Sequence, residues 1–192
     1  MDEPPPAGDA GDAKLEAAAA KEGLACLFPL GAAGRRLRAG LACGEDPEEL
    51  RAAMEDAASK AARDDPEYAR LVVGAVMATA APPAEPCAEP AEVAARYGTL
   101  MRAACGGKAA LQVAAVQAAQ ALCEKAGHPK GLGTALLDAL YEAQVVSIEA
   151  LTRWTDDARD ASPAKIAMLK EVNRWLMEAK QADEAEPSDE EE

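Results

Sequence analysis

Aromatic residues are scarce in this chain of 192 residues: two tryptophans, three tyrosines and one phenylalanine. Hydrophobic residues make up 49% of it, but many of these are alanine. A core can therefore form only where segments approach closely. Alanine is the strongest helix former and β-branched content is low, so an all-α fold is expected. There is one histidine, His128, placed between Gly127 and Pro129 in what reads as a loop. The five cysteines, Cys26, Cys43, Cys87, Cys105 and Cys123, are odd in number, widely spaced and never CxxC. This excludes a zinc site or a disulfide framework and implies reduced thiols in a cytoplasmic protein. No P-loop, GxSxG or HExxH is present, so neither an enzyme nor a cofactor or metal site is expected. Adjacent carboxylates such as Asp156-Asp157 point in different directions on a helix and do not make a catalytic pair. No apolar run is long enough to cross a bilayer, and from the acidic, proline-rich start no signal peptide is expected. Basic charge is also in short supply, the net charge being −14. Such a chain repels nucleic acid and bare anionic membrane, which leaves basic proteins as the expected partners.

What is present is a series of helix signals. Residues 1–12 are rich in Pro, Gly and Asp and read as disordered, and 13–22 as a short alanine-rich helix. The stretch 23–44 mixes Leu24, Leu27, Phe28 and Leu30 with several glycines and the cluster Arg35, Arg36 and Arg38, which either pairs with acids or forms a solvated patch. The region 1–44 is thus expected to be a disordered or weakly ordered extension. A regular array opens at Asp46-Pro47, where an aspartate cap precedes proline at the first helical position, with Leu50, Met54, Ala57 and Ala61 facing inward. Asp65-Pro66 repeats this start, with Leu71, Val72, Ala75 and Val76 inward. Residues 81–90 contain four prolines and read as a loop. Helices follow near 91–105 (Val93, Tyr97, Leu100, Ala104), then through Leu111, Ala115, Ala118 and Leu122, and near 132–143 (Leu132, Leu136, Leu140, Tyr141). Gly106-Gly107 ends the first of these and Gly127 the second. Short connections imply antiparallel neighbours, stacked as the hairpins of a HEAT-like α-solenoid over 45–181.

Residues 136–180 carry the most information. Ser147 and Ser162 are good N-caps, the second followed by Pro163. Val146 and Leu151 fit a hydrophobic staple. The last helix places Ile166, Leu169, Val172, Leu176 and Ala179 on one apolar stripe. After it comes an acid-rich end, 182–192, expected to be a disordered tail. Residues 175–192 hold eight acids and one lysine, so half of the net charge lies there.

This order of Leu140-Tyr141-Glu142, Glu149-Ala-Leu-Thr-Arg-Trp154 with acids after it, and Arg174-Trp175-Leu176-Met177-Glu178-Ala179 before an acidic end resembles the C-terminal two-tryptophan domain with acidic/aromatic boxes. That HEAT-like domain ends eukaryotic translation initiation factor five, the epsilon subunit of initiation factor two-B and the scaffold factor four-G. Ala143, Gln144, Ser147 and Ile148 stand where the family commonly has acids, and Lys180 and Gln181 interrupt the second box. The resemblance implies a protein-interaction module of translation initiation, binding lysine-rich segments such as those of the initiation factor two beta subunit, or other initiation factors. The expected contact residues are Tyr141, Glu142, Glu149, Trp154, Asp156, Asp157, Trp175, Glu178, Asp183, Glu184 and Glu186. Each tryptophan is either a core anchor or an edge shown to a partner, and both readings stand at this point. Antiparallel packing of the last two helices is expected to bring Glu149, Asp156 and Asp157 to the same end as Glu178. Ser188-Asp-Glu-Glu191 is an acid-directed phosphorylation pattern. Two rival readings are a nucleotide-exchange region acting on initiation factor two, and a generic helical-repeat scaffold.

Overall fold

The computed structural model describes residues 30–81 and 88–185. The readings made for residues 1–29, 82–87 and 186–192, including Glu186 and Ser188, lie outside the described residues. Among the described residues the secondary structure is entirely helical, as the composition required, with no strand. None of these helices is long and apolar enough to cross a membrane. The chain divides into two compact units, Met1–Asp64 and Asp65–Glu192. The second therefore opens at the second of the two Asp-Pro starts rather than at the first.

The first unit holds α1 (Gly31–Cys43), α2 (Pro47–Ala57) and the one-turn α3 (Lys60–Arg63). Helix α1 corrects the expectation of weak order over residues 31–43. Its glycines serve packing instead of breaking the helix. Ala33, Gly34, Leu37 and Gly40 form its buried face. A Cβ at Gly40 would lie 2.5 Å from Leu50 Cδ1, so glycine there lets α1 pack on α2 without displacing that side chain. The turn between them is closed by Gly44 in the left-handed region (φ 65°) and by an Arg36–Glu45 ion pair. Asp46 caps α2 by accepting the N–H groups of Glu48 (2.9 Å) and Glu49 (3.3 Å). The single helix expected to bury both Ala57 and Ala61 is broken in two. Ala58 is extended and Ser59 starts a new turn, accepting the Ala62 N–H at 3.2 Å. Ala58 is buried instead, and Ala61 is exposed.

The second unit comprises α4 (Pro66–Met77), a 3-10 turn (Ala78–Ala80), α5 (Pro90–Cys105), α6 (Ala109–Lys125), α7 (Leu132–Glu142), α8 (Ile148–Asp156) and α9 (Pro163–Ala185). Helices two apart in sequence pack side by side: α4 on α6 and α6 on α8 in one layer, α5 on α7 and α7 on α9 in the other. The cross-links show that these alternate helices run parallel. Thr134 meets Glu171 and Asp138 meets Trp175, both 37 residues apart. Gln112 meets Ser147 and Gln120 meets Trp154 in the same sense. Parallel alternates require antiparallel neighbours, so stacked hairpins are the observed architecture. The core is built from Val72, Val76, Leu100, Met101, Leu111, Leu136, Leu140 and Leu151, all at most 3% exposed. Leu71, Ala75, Leu122 and Leu132 are only half-buried, with Val73, Met77 and Cys123 buried beside them.

Helix α9 departs from expectation at both ends. It runs to Ala185, so 182–185 is helical rather than a disordered tail. At its start the stripe is turned by about one residue: Ile166 is 46% exposed, while Ala164, Lys165 and Met168 are buried. The cause is local. Ser162 caps the helix by accepting the Lys165 N–H (3.2 Å), and the Lys165 ammonium donates to the Asp157 carbonyl at the end of α8 (2.8 Å). These two bonds hold Lys165 inward, which leaves Ile166 facing out.

Candidate functional site

Helix α7 ends at Glu142 through a tight turn. Gln144 takes a left-handed conformation (φ 56°), and the Val145 N–H donates to the Leu140 carbonyl at 2.9 Å. This turn delivers the chain directly to Ser147, which caps α8 by accepting the Ala150 N–H at 3.3 Å. Gln112 of α6 fixes that start, its Oε1 accepting the Ser147 hydroxyl at 2.7 Å and the Ser147 N–H at 3.3 Å. Because α8 and α9 are antiparallel, the far end of α9 returns to this place. The result is an open cavity of about 490 Å³ whose lining includes Tyr141, Glu142, Gln144, Ser147, Ile148 and Asp183.

Trp175 stands beside this cavity on α9, half-buried. Its ring meets Tyr141 edge-on, with centroids 6.2 Å apart and planes at 83°. The edge-to-face arrangement lets the positive ring rim meet the negative face of its partner. The indole N–H donates to Asp138 Oδ1 at 2.8 Å. Asp138 was missed in the sequence, although it lies one helical turn before Tyr141 and hence on the same side of α7. Asp138 and Glu142 also border a smaller hollow of about 180 Å³, floored by alanines of α5 and α7.

Trp154 has the other role. It is 1% exposed, its N–H donates to Gln120 Oε1 at 2.9 Å, and the buried Lys165 ammonium lies 5.8 Å from its ring centroid. It anchors the core and presents no edge to a partner. Asp156 and Asp157 are likewise away from the Tyr141 cavity. They line a different cavity, of about 540 Å³, with Arg153 and Arg159 at the opposite end of α8. Nine residues of helix, about 13 Å, separate the two ends. The expectation of one shared end fails because antiparallel packing puts the end of α8 against the start of α9. Asp157 is held below the ordinary carboxylate range, chiefly by hydrogen bonding from Arg159. Asp160 is lowered too, chiefly by hydrogen bonding from Ser162.

Glu149 and Glu178 are exposed and paired within their own helices, with Arg153 (2.6 Å) and Arg174 (2.9 Å). Glu184 lies in the last turn of α9. Of the residues expected from the sequence, the structure gathers Tyr141, Glu142, Trp175 and Asp183 around this cavity, with Asp138 beside them. Cys105 and Cys123 are buried, which pushes both thiols up to about 12 and leaves them protonated. Among the described residues no group of His, Cys, Asp or Glu is arranged to hold a metal ion.

Residues 111–190, from α6 onward, match the family described as W2: eIF4-gamma/eIF5/eIF2-epsilon. Over 80 residues the chain is 32% identical to eukaryotic translation initiation factor 4 gamma 2 of Mus musculus, Homo sapiens and Bos taurus. The match spans 42% of this chain and only 9% of those relatives. The C-terminal part of the chain is therefore similar to a two-tryptophan domain, and the tryptophans, the cavity and α7–α9 all fall inside the matched residues.

Proposed function

We propose, on the premise that residues 111–190 carry a W2 domain, that this chain is a protein-interaction module of translation initiation working in the cytoplasm. Its partner is a lysine-rich segment, like that of the initiation factor two beta subunit, or another initiation factor. The supporting observation is the Tyr141–Trp175 pair set among Asp138, Glu142 and Asp183. Lysine stems can lie on the two half-buried rings while the ammonium groups meet the carboxylates. No catalytic step is assigned to it. Each exposed ion pair contributes less than about 1 kcal/mol, so affinity depends on their number and is sensitive to salt. Binding of a polylysine peptide, followed by calorimetry, should fall steeply between low and physiological salt. Reversing Glu142 and Asp183 to Lys should weaken it at unchanged thermal stability. Reversing Asp156 instead should leave it nearly intact. Equal affinity in all three proteins at low salt would refute this site.

A further inference from the structure

Ser162-Pro163 is the only serine or threonine followed by proline in the 192 residues, and Lys165 stands three positions after the serine. This is the pattern read by proline-directed, cyclin-dependent-type kinases. We propose that Ser162 is a phosphorylation site of such a kinase, and that the Trp154 anchor registers its charge. Asp160, Ala161 and Ser162 belong to no helix, and Arg159, Ala161 and Pro163 are exposed. The residue before a proline is held extended, the conformation in which a kinase cleft takes its substrate. Lys165 is buried, so recognition falls on the Ser-Pro pair and the open residues before it. The γ-phosphoryl group of ATP moves to Ser162 Oγ. The Oγ–P bond forms, the bond from the γ-phosphorus to the bridging oxygen of ADP breaks, and the hydroxyl proton passes to the kinase's catalytic carboxylate.

The surroundings explain why the modification would be felt. Ser162 Oγ accepts the Lys165 N–H at 3.2 Å and an N–H of Gln120 at 3.4 Å. Gln120 also donates to Asp160 at 3.3 Å and accepts the Trp154 indole N–H at 2.9 Å. Lys165 lies over the Trp154 ring and acts electrostatically on both Asp157 and Asp160. A phosphate adds about −1.5 to −2 charges beside these two carboxylates. It suits the start of α9, where the helix dipole favours an anion, but it competes with the Asp157 carbonyl for the Lys165 ammonium. That competition draws the Lys165 ammonium away from the Trp154 ring.

The test is to incubate the full chain with a proline-directed kinase and ATP and to map the product by mass spectrometry. One phosphate at Ser162 is expected, absent in Ser162→Ala and in Pro163→Ala. The second variant keeps the capping hydroxyl and should melt as the parent does. In a Trp175→Phe background, phosphorylation should shift the emission maximum of Trp154. A folded chain left unmodified at Ser162, whether or not the heat-unfolded chain is modified, would overturn the site. Modification with unchanged Trp154 emission would overturn the coupling.

Discussion

At the scale of single residues, the two tryptophans of one sequence pattern have opposite surroundings. Trp154 sits in the core with its N–H satisfied by Gln120, whereas Trp175 is half-buried and bonds Asp138 at the edge of a cavity. Trp154→Phe leaves the Gln120 carbonyl without a buried partner and should cost about 1–3 kcal/mol. Trp175→Phe breaks a bond that water can replace and should cost less than about 1 kcal/mol. Urea denaturation measures both. The ranking should reverse for polylysine affinity, which Trp175→Ala should lower and Trp154→Phe should spare. The sequence could not separate them, because both end the same aliphatic-x-Arg-Trp run, Leu151 to Trp154 and Val172 to Trp175. What separates them is a residue 34 positions away for one and 37 for the other.

At the scale of elements, the helix starts were the most legible part. Asp46, Asp65, Ser147 and Ser162 cap as their side chains and following residues require. Capping depends on groups within three residues, so it can be read locally. Helix α7 is different. Gly131 precedes it without a side-chain cap, and Glu171 of α9 supplies the acceptor, taking the Thr134 N–H at 3.2 Å. Glu171→Ala should therefore lower stability by about 0.5–2 kcal/mol and speed hydrogen exchange at Thr134, although the change lies in another helix. Unchanged exchange there would contradict this role. Helix α1 was misread for the converse reason. Its glycines count against a helix locally, but the closeness to Leu50 that they permit compensates in the folded unit.

At the scale of the molecule, charge sets the acid response. Asp157 and Asp160 are lowered from an ordinary value of 3.8 in the folded protein. The folded state then binds fewer protons than the unfolded one, so the stability these groups contribute is present above that value. It is lost as pH falls through their lowered values. The net charge of −14 acts in the other direction, since protonating unpaired acids relieves self-repulsion. The melting temperature should hold or rise slightly on mild acidification and then fall below pH 3.8. Asp160→Asn should flatten that fall, and identical acid limbs for the two proteins in thermal scans would refute the assignment.

The helical class, the capped starts and the C-terminal order of tyrosine, two tryptophans and acids can be read from the residues alone. Each of these follows from residue type and spacing within a few turns. Only the tertiary structure decided which acids gather. Antiparallel packing of α8 and α9 carries Asp183 to Tyr141 and Glu142 while it leaves Asp156 and Asp157 at the other end of α8. Burial decided the rest. Lys165 is drawn inward to the Asp157 carbonyl, which turns the start of α9 and exposes Ile166. A hydrophobic stripe fixes a helix face only to within a residue or so, and one buried ammonium seeking a carbonyl is enough to choose among the phases that remain.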